Sequence, residues 1–515
     1  MATPSHPMKS MDQIAAELQG YDPQALSASA VNEFLARLVE PVAQSEQVGI
    51  FEALGRVLAA DVVSPVNVPP HDNSAMDGYA FAGAQLSAPA PRGETTLAPP
   101  AAATSPTRSP LTLKVIGTAL AGAAWRGSVQ PGECLKIMTG AVLPAGLDTV
   151  VPQEFVRESA AAVDAAGMQV KATLITIPPG LLQRGDNRRA IGEDIMAGQA
   201  ALLKGERLTP SALGLVASLG LSSVQVKRKL RVAYFSTGDE ILSLGDAPRE
   251  GAVYDSNRYT VFGLLTRLGV EIIDLGVVRD EPDALEAAFR CAAGQADAII
   301  TSGGVSVGEA DHTKAMMKKL AGAGDAANAG GNESMGGVAF WRIAMRPGRP
   351  MAVGRIPRTP FAPSAGQVLP DLGVKSASSP CVAYASSYIN SSKEDSAGFS
   401  VLFGLPGNPV AVMVTFLAFV RPALLRMMGS TEAAPPLLKA KSLEAIRKKP
   451  GRTEYQRGIV STSASGELHV RITGNQGSGV LSSMTQANGL IVLHHALGNV
   501  AAGDLVDVMM FDGAI

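Results

Sequence analysis

The sequence predicts a multidomain α/β protein, with a doubly wound α/β domain, an inserted β domain, an elongated helical/β region and a C-terminal β domain. Three observations lead there. At 515 residues the chain is longer than one hydrophobic core can organise. Between Leu230 and Met428, nearly continuous apolar runs alternate with segments of helical period, the pattern of a parallel sheet buried on both faces. Before and after that stretch, short apolar runs are punctuated by Gly and Pro turns, as in β domains.

Residues 1–67 form the first part of the elongated region. From Ser29 to Val62 apolar residues recur at helical spacing in two segments, and Pro65, Pro69 and Pro70 stop helix propagation. Residues 68–180 read as the inserted β domain, with strands in "LTLKVIGTALAG", "ECLKIMTGAVLP" and "DTVVPQEFV" and a solvated loop from Gln85 to Pro110. Residues 181–229 are the return segment. Its helix, "TPSALGLVASLGL", is entered through Thr209 as N-cap with Pro210 at the first helical position, and is expected to pack on the helices before Pro65.

Residues 230–430 make the α/β domain. Its strands are "LRVAYFS", "VEIIDLGVV", "ADAIIT", "VAFWRIAM" and "VLFG". Its helices are "SNRYTVFGLLTRLG", "PDALEAAFRCAAG", "DHTKAMMKKL" and "NPVAVMVTFLAFVRPALLRMM". Two polar stretches, 321–337 and 355–400, read as surface insertions. Residues 431–515 alternate apolar and polar positions between turns and form the C-terminal β domain.

Composition narrows the function. A formal charge of −2 with 17% charged residues argues against bulk nucleic-acid binding, which needs dense phosphate neutralisation. Cys134, Cys291 and Cys381 show no metal-ligand spacing, and a sparse, odd count fits a reducing compartment. The first residues lack a signal-type apolar core, and the longest uncharged apolar run, Val410 to Val420, falls short of the ~20 residues of a membrane span. The expectation is a cytoplasmic protein that engages neither membrane nor nucleic acid.

In an open α/β sheet, ligands gather at the carboxyl ends of strands. Four loops fall there: "STGDEI" with Ser236, Thr237, Gly238 and Glu240; "VVRDEP" with Asp280; "SGGVSVGEADHTK" with Ser302, Gly303, Gly304, Ser306, Gly308 and Asp311; and "FGLPGNPV" with Pro406, Gly407 and Asn408. Glycines after a strand bare the backbone N–H groups, and the following helix adds its positive end, so such loops can cradle anions. The spacing matches neither a P-loop nor the GxGxxG dinucleotide pattern. "MRPGRP" adds Arg346 and Arg349 for oxyanion recognition, with a surface turn as the plain alternative.

Glu240, Asp280 and Asp311 would crowd the same edge as an anionic ligand. A Mg²⁺ ion reconciles them by taking carboxylate and phosphate oxygens together. The alternative is that Asp239, Asp280 and Asp311 only cap the next helices. In the β domain, "PPHDNSAMDGYAF" reads as turns around Asp72 to Ser74 and Asp77-Gly78, His71 as a surface residue, and Thr139 beside Gly140 as a possible oxyanion contact at a strand end.

The motifs "PPHDNSAMDGYA", "IMTGAVLPAGLDTVV", "RRAIGEDI", "FSTGDEI", "YDSNRY", "SGGVSVGEADHTK" and "GLPGNPV" span nearly the whole chain and closely resemble the MoeA/gephyrin E-domain family of molybdopterin molybdenumtransferases. The resemblance implies a MogA-like molybdopterin-binding α/β domain and a homodimer whose active site joins that domain of one subunit to the inserted β domain of the other. It implies catalytic roles for Asp77, Thr139, Asp194, Glu240, Asp280 and Asp311, with Glu240, Asp280 and Asp311 on Mg²⁺, and substrate-binding roles for Arg457 and Ser478. The implied substrates are adenylylated molybdopterin and molybdate, the products AMP and molybdenum cofactor, and a further partner is a MogA-like adenylyltransferase. Two features depart from the family: "RPGRP" replaces the frequent "KPGKP", and the 355–400 insertion is longer than expected. The competing readings are a molybdopterin adenylyltransferase and a non-catalytic molybdopterin-binding scaffold.

Overall fold

The computed structural model describes residues 9–86, 109–161, 172–305, 312–322, 336–358 and 398–511. They fall into two compact units, one of residues 1–60, 204–209 and 223–515, the other of residues 61–203 and 210–222.

In the second unit a six-stranded sheet runs in the order Thr149–Pro152, Gly78–Phe81, Glu133–Ile137, Leu111–Ala119, Ala172–Ile177, Arg157–Ala161. Alternation divides its residues between two faces. Ala80, Leu135 and Val150 join one apolar cluster, while Tyr79, Phe81, Cys134 and Val151 join the other. Two short antiparallel ladders, Asn73–Ser74 with Arg188–Arg189 and Val62–Val63 with Ala200–Leu202, tie the leading and returning legs of the chain together. These ladders explain a difference from the sequence reading. Residues 61–67 and 181–203 group with the β sheet rather than with the N-terminal helices. The Pro210–Ser218 helix groups there too, instead of with the helices before Pro65.

In the first unit, helices Met11–Glu17 and Ala28–Leu38 are opened by Ser10 and Ser27, each accepting a backbone N–H as N-cap. The central sheet has the order Glu271–Val278, Arg231–Thr237, Ala298–Ser302, Phe399–Leu405, Pro350–Pro357, Gly337–Arg342. The first four strands are mutually parallel, and the last two pair antiparallel. Both faces are covered, as continuous apolar strands require. Val232, Tyr234, Ile300 and Phe403 pack with Phe34, Leu265 and Phe419 on one side. Ala233, Phe235, Ile299 and Leu402 pack with Phe289 and Met317 on the other.

The Pro409–Met427 helix has the length and apolarity of a membrane span, but 83% of its apolar window is buried inside the protein, which makes it a core helix. Beyond it, the strands Thr453–Thr462, Leu468–Ile472, Leu438–Ser442, Leu505–Met510 and Gly489–Leu493 pair in a ring that returns to Thr453–Thr462, a small closed barrel around Val470, Ile491 and Val508.

The two stretches read as insertions are shorter than expected. The helix His312–Gly322 continues to Gly322, and the strand Pro350–Pro357 carries Arg355. Charge made Arg355 look like surface, yet it is buried, its guanidinium donating to the carbonyls of Lys9 and Leu38. Ser400 is buried at the other boundary and donates to Ala293 and Ala296 carbonyls at 3.0 and 2.6 Å. The remainder of each stretch, 323–335 and 359–397, lies outside the described residues.

Buried Asp297 pins the amino edge of the sheet. It accepts from Arg228 at 2.7 and 2.8 Å, from Arg358 at 2.6 Å and from the Arg231 N–H at 2.8 Å. Burial alone would raise its carboxyl, but Arg228, the Arg231 N–H and Arg358 outweigh that and hold it below the usual range. A depressed native value means the contribution is complete above the unfolded value of about 3.9 and is lost as pH falls through the native value. We expect Asp297→Asn to cost about 3 kcal/mol, since it strands buried guanidinium charge. Thermal melts at pH 7 should show a large fall for the variant, and the gap to the parent should narrow as pH drops below about 4. An unchanged melting temperature at pH 7 would contradict this.

Candidate functional site

The strand order reverses between Arg231–Thr237 and Ala298–Ser302, because the chain leaves the first strand to one side, to Glu271–Val278, and then crosses to the other. The carboxyl ends of strands flanking such a reversal diverge and leave a crevice. A cleft of about 1180 Å³ opens there. Thr237, Gly238, Glu240, Asp280, Ser302, Gly303 and Gly304 line it, together with Arg346, Arg349, Pro406, Gly407, Asn408 and Ser478.

Glycine is required at the cleft floor. Gly303 has φ +93°, and a Cβ there would stand 2.4 Å from the Thr237 carbonyl oxygen. Gly304 has φ +64°, with a Cβ 2.5 Å from Thr313 Cβ. Both conformations disfavour L side chains, and the space is already filled by chain. Beneath the floor the hydroxyls of Tyr234, Ser236 and Ser302 bond one another at 2.7 to 3.1 Å. Burial pushes the Tyr234 phenol up, so it remains a neutral hydrogen-bonding group. Ser236 is consumed in this trio and does not line the cleft, whereas Ser302 does.

The capping alternative fails for two of the three acids. Asp280 accepts from Thr313 Oγ1 at 3.2 Å, while the helix after it has Glu281 at the N-cap and no side-chain cap bond. Asp239 precedes a two-residue strand, Ile241–Leu242, rather than a helix. Asp311, Ser306 and Gly308 lie outside the described residues. Among the described residues no group of three His, Cys, Asp or Glu side chains could hold a metal ion. Glu240 and Asp280 nevertheless share the cleft, and an all-oxygen pair of this kind suits a hard cation that keeps most of its water.

Basic groups line the cleft as well. Arg346 and Arg349 are exposed residues of the cleft lining, joined by Arg452, whose guanidinium also bonds Glu454 at 2.8 Å. Arg457 does something else. It is 1% exposed, donates to Ser483 Oγ at 2.9 Å and to the carbonyls of Asn475 and Gly477 at 3.2 and 3.0 Å, and does not line the cleft. Burial first, and then Arg346, push it down to about 10. It fixes the loop that presents Gln476, Ser478 and Gly479 to the cleft. Ser478 in turn accepts, through its carbonyl, the Val410 N–H at 3.1 Å, which fastens that loop to the start of the core helix.

Asp255, Asn257, Arg452 and Gln476 line the cleft but were not singled out by sequence. For the first two a signal existed in "YDSNRY". Asp255 is an N-cap that accepts the Arg258 N–H at 3.0 Å, and Asn257 lies two residues into the helix, donating to the Gly407 carbonyl at 2.7 Å.

In the second unit, Asp77 and Thr139 are brought together. Asp77 Oδ1 accepts both the backbone N–H and the hydroxyl of Thr139, each at 2.7 Å. Those bonds hold the Asp77 carboxyl below its ordinary value. Asp194 lies on an exposed bend, its N–H bonded to the Val68 carbonyl at 3.0 Å.

Comparisons with known proteins cover nearly the whole chain. Residues 26–220 match the MoeA N-terminal region (domain I and II), 233–426 a probable molybdopterin binding domain, and 439–511 the MoeA C-terminal region (domain IV). A molybdopterin molybdenumtransferase of Haemophilus influenzae is 34% identical over 94% of this chain and 98% of its own length. One from Nostoc is 30% identical over 87% and 85%, and a molybdopterin molybdenumtransferase 2 of Mycobacterium tuberculosis is 30% identical over 90% and 94%. The crystal structure of a molybdopterin biosynthesis moeA protein from Pyrococcus horikoshii shares the fold, with TM-score 0.64 and 22% identity over 95% of this chain and all of that one.

The crowding at residue 303 gives a direct test. Gly303→Ala must move the Thr237 carbonyl and strain a positive φ, so we expect a loss of about 2 kcal/mol, read as a lowered unfolding midpoint. Gly263→Ala, an open helical position, is the control and should leave the midpoint unchanged or raise it slightly. Equal midpoints for Gly303→Ala and the parent would refute the close approach.

Proposed function

We infer the activity from kinship and cleft together: the chain belongs to the MoeA family of molybdopterin molybdenumtransferases. It is a transferase of molybdenum cofactor biosynthesis that acts on molybdopterin. The substrates in this reading are adenylylated molybdopterin and molybdate, and the products are molybdenum cofactor and AMP. The observation that carries it is the convergence, at one strand-order reversal, of bare glycine backbone, three arginines and three carboxylates.

Gly238, Gly303 and Gly304 make crowded turns that admit no side chain; the Gly303 N–H is held by the Leu405 carbonyl at 3.2 Å, and the N–H groups of the other turns would face phosphate oxygens. The positive end of the Pro409–Met427 helix, led by Gly407 and Asn408, adds to the same field. Arg346, Arg349 and Arg452 supply fixed positive charge for phosphate and for the molybdate oxyanion. Glu240 and Asp280 would hold Mg²⁺, which when bound supplies charge neutralisation at the phosphoanhydride. Thr313 orients the Asp280 carboxylate, and Glu240 stands at the mouth of the Gly238 turn.

A homodimer is part of the same proposal, with Asp77, Thr139 and Asp194 of one copy serving the cleft of the other. So are a MogA-like adenylyltransferase as donor of the adenylylated substrate and a cytoplasmic location. Adenylyl transfer by this chain itself is not favoured, because the relatives that match it from end to end are named molybdenumtransferases.

The purified chain given adenylylated molybdopterin should release AMP only when molybdate is present, and chelation of Mg²⁺ should stop it. Glu240→Gln and Asp280→Asn should each lower the rate about a hundredfold or more. Undiminished rates in both variants would remove the carboxylates from the reaction. Pyrophosphate release from molybdopterin plus ATP would favour the adenylyltransferase instead.

A further inference from the structure

Among the described residues, two buried acceptors of the cleft lining have no donor. Asp255 is 4% exposed and Asn257 7%, and both line the cleft. Asp255 Oδ1 is occupied by the Arg258 N–H, but Asp255 Oδ2 has no hydrogen-bond partner. Asn257 spends its amide nitrogen on the Gly407 carbonyl, and Asn257 Oδ1 has no partner. The orientation of that amide is not arbitrary. A carbonyl only accepts, so the nitrogen must face Gly407, and the oxygen is what remains. Burying a carboxyl oxygen and an amide oxygen without donors is costly, and sites that do so are commonly completed by a ligand.

The chemistry of the missing partner follows from the pair. Both vacant positions accept and lie two residues apart at one helix start, so a ligand edge that meets both would present a donor to each. In the substrate proposed above, the phosphates and the dithiolene offer none. Adenine presents its amine beside N1, a lone pair that would oppose one of the two acceptors. The pterin ring presents its 2-amino group beside N3–H, donor next to donor. We propose that Asp255 and Asn257 recognise the 2-amino/N3–H edge of the pterin, orienting the substrate at the start of the Ser256–Leu268 helix while the glycine loops and arginines take its phosphates. The assignment rests on the function proposed above and adds the residues that distinguish the pterin of the substrate from its adenine. They are binding residues, remote from the bonds that change.

The test compares ligands as well as variants. Binding of 6-hydroxymethylpterin, of 6-hydroxymethyllumazine (a carbonyl in place of the 2-amino group) and of AMP is measured by calorimetry on the full chain. The parent should prefer the pterin about tenfold or more, because lumazine sets an acceptor against an acceptor. Asp255→Asn keeps a competent N-cap, so the helix should persist, as an unchanged melting temperature would verify. It should abolish the preference for pterin over lumazine, leave AMP binding unaltered, and raise KM for adenylylated molybdopterin more than it lowers kcat.

No preference in the parent would overturn the assignment even if the variant failed to fold. A variant that retains the preference, or that loses AMP affinity instead, would overturn it as well. Failure of the parent to release AMP with molybdate would strike the proposed reaction, whereas these outcomes strike only the pterin contact.

Discussion

Parallel pairing of Arg231–Thr237 with Ala298–Ser302 brings two loop starts so close that the Thr237 carbonyl occupies the volume a side chain at residue 303 would need. Most of the cleft is built around that constraint. Because only backbone fits, main chain rather than side chains forms the floor at Gly303 and Gly304, where the Gly303 N–H is itself held by the Leu405 carbonyl at 3.2 Å. Because the two strands lie where the strand order reverses, their ends part and leave room for a ligand above that floor. The hydroxyls of Tyr234, Ser236 and Ser302 satisfy one another in the interior below, without charge.

The charged groups of the first unit divide by what surrounds them. Arg355, Arg457 and Asp297 are buried among backbone carbonyls, a serine hydroxyl or guanidinium partners, and each fastens chain segments that are remote in sequence. Arg346 and Arg349 have no such enclosure and stand at the cleft. A guanidinium surrounded by carbonyls is structural, and one facing an open cavity lined by glycine is available to a ligand.

This division explains how far the sequence could be read. Continuous apolar runs such as "LRVAYFS" and "ADAIIT" announce parallel strands buried on both faces, and the clusters on either side of Val232 and Ala233 bear that out. The alternating tail announces β structure, though not that its strands close into a ring. Glycine loops at strand ends point to the cleft because topology alone brings strand ends together. What could not be read is solvent access. Arg457 and Arg346 are the same residue type, and only the packed structure shows that one is enclosed. Arg355 and Ser400 were read as surface because their partners are carbonyls, which leave no trace in composition. Asp255 and Asn257 look like routine helix-start residues until their unpaired oxygens are located.

The bond from the Val410 N–H to the Ser478 carbonyl crosses from the core helix to the loop carried by the barrel. With Arg452, Gln476 and Gly479 contributed from the same side, the terminal barrel is a wall of the cleft and not an appendage. Removing it would unroof the cavity and release the first turn of the helix that points into it. Any recombination that exchanged this tail for another module would therefore have to preserve one loop to within hydrogen-bond tolerance, which binds the last domain to the inheritance of the central one.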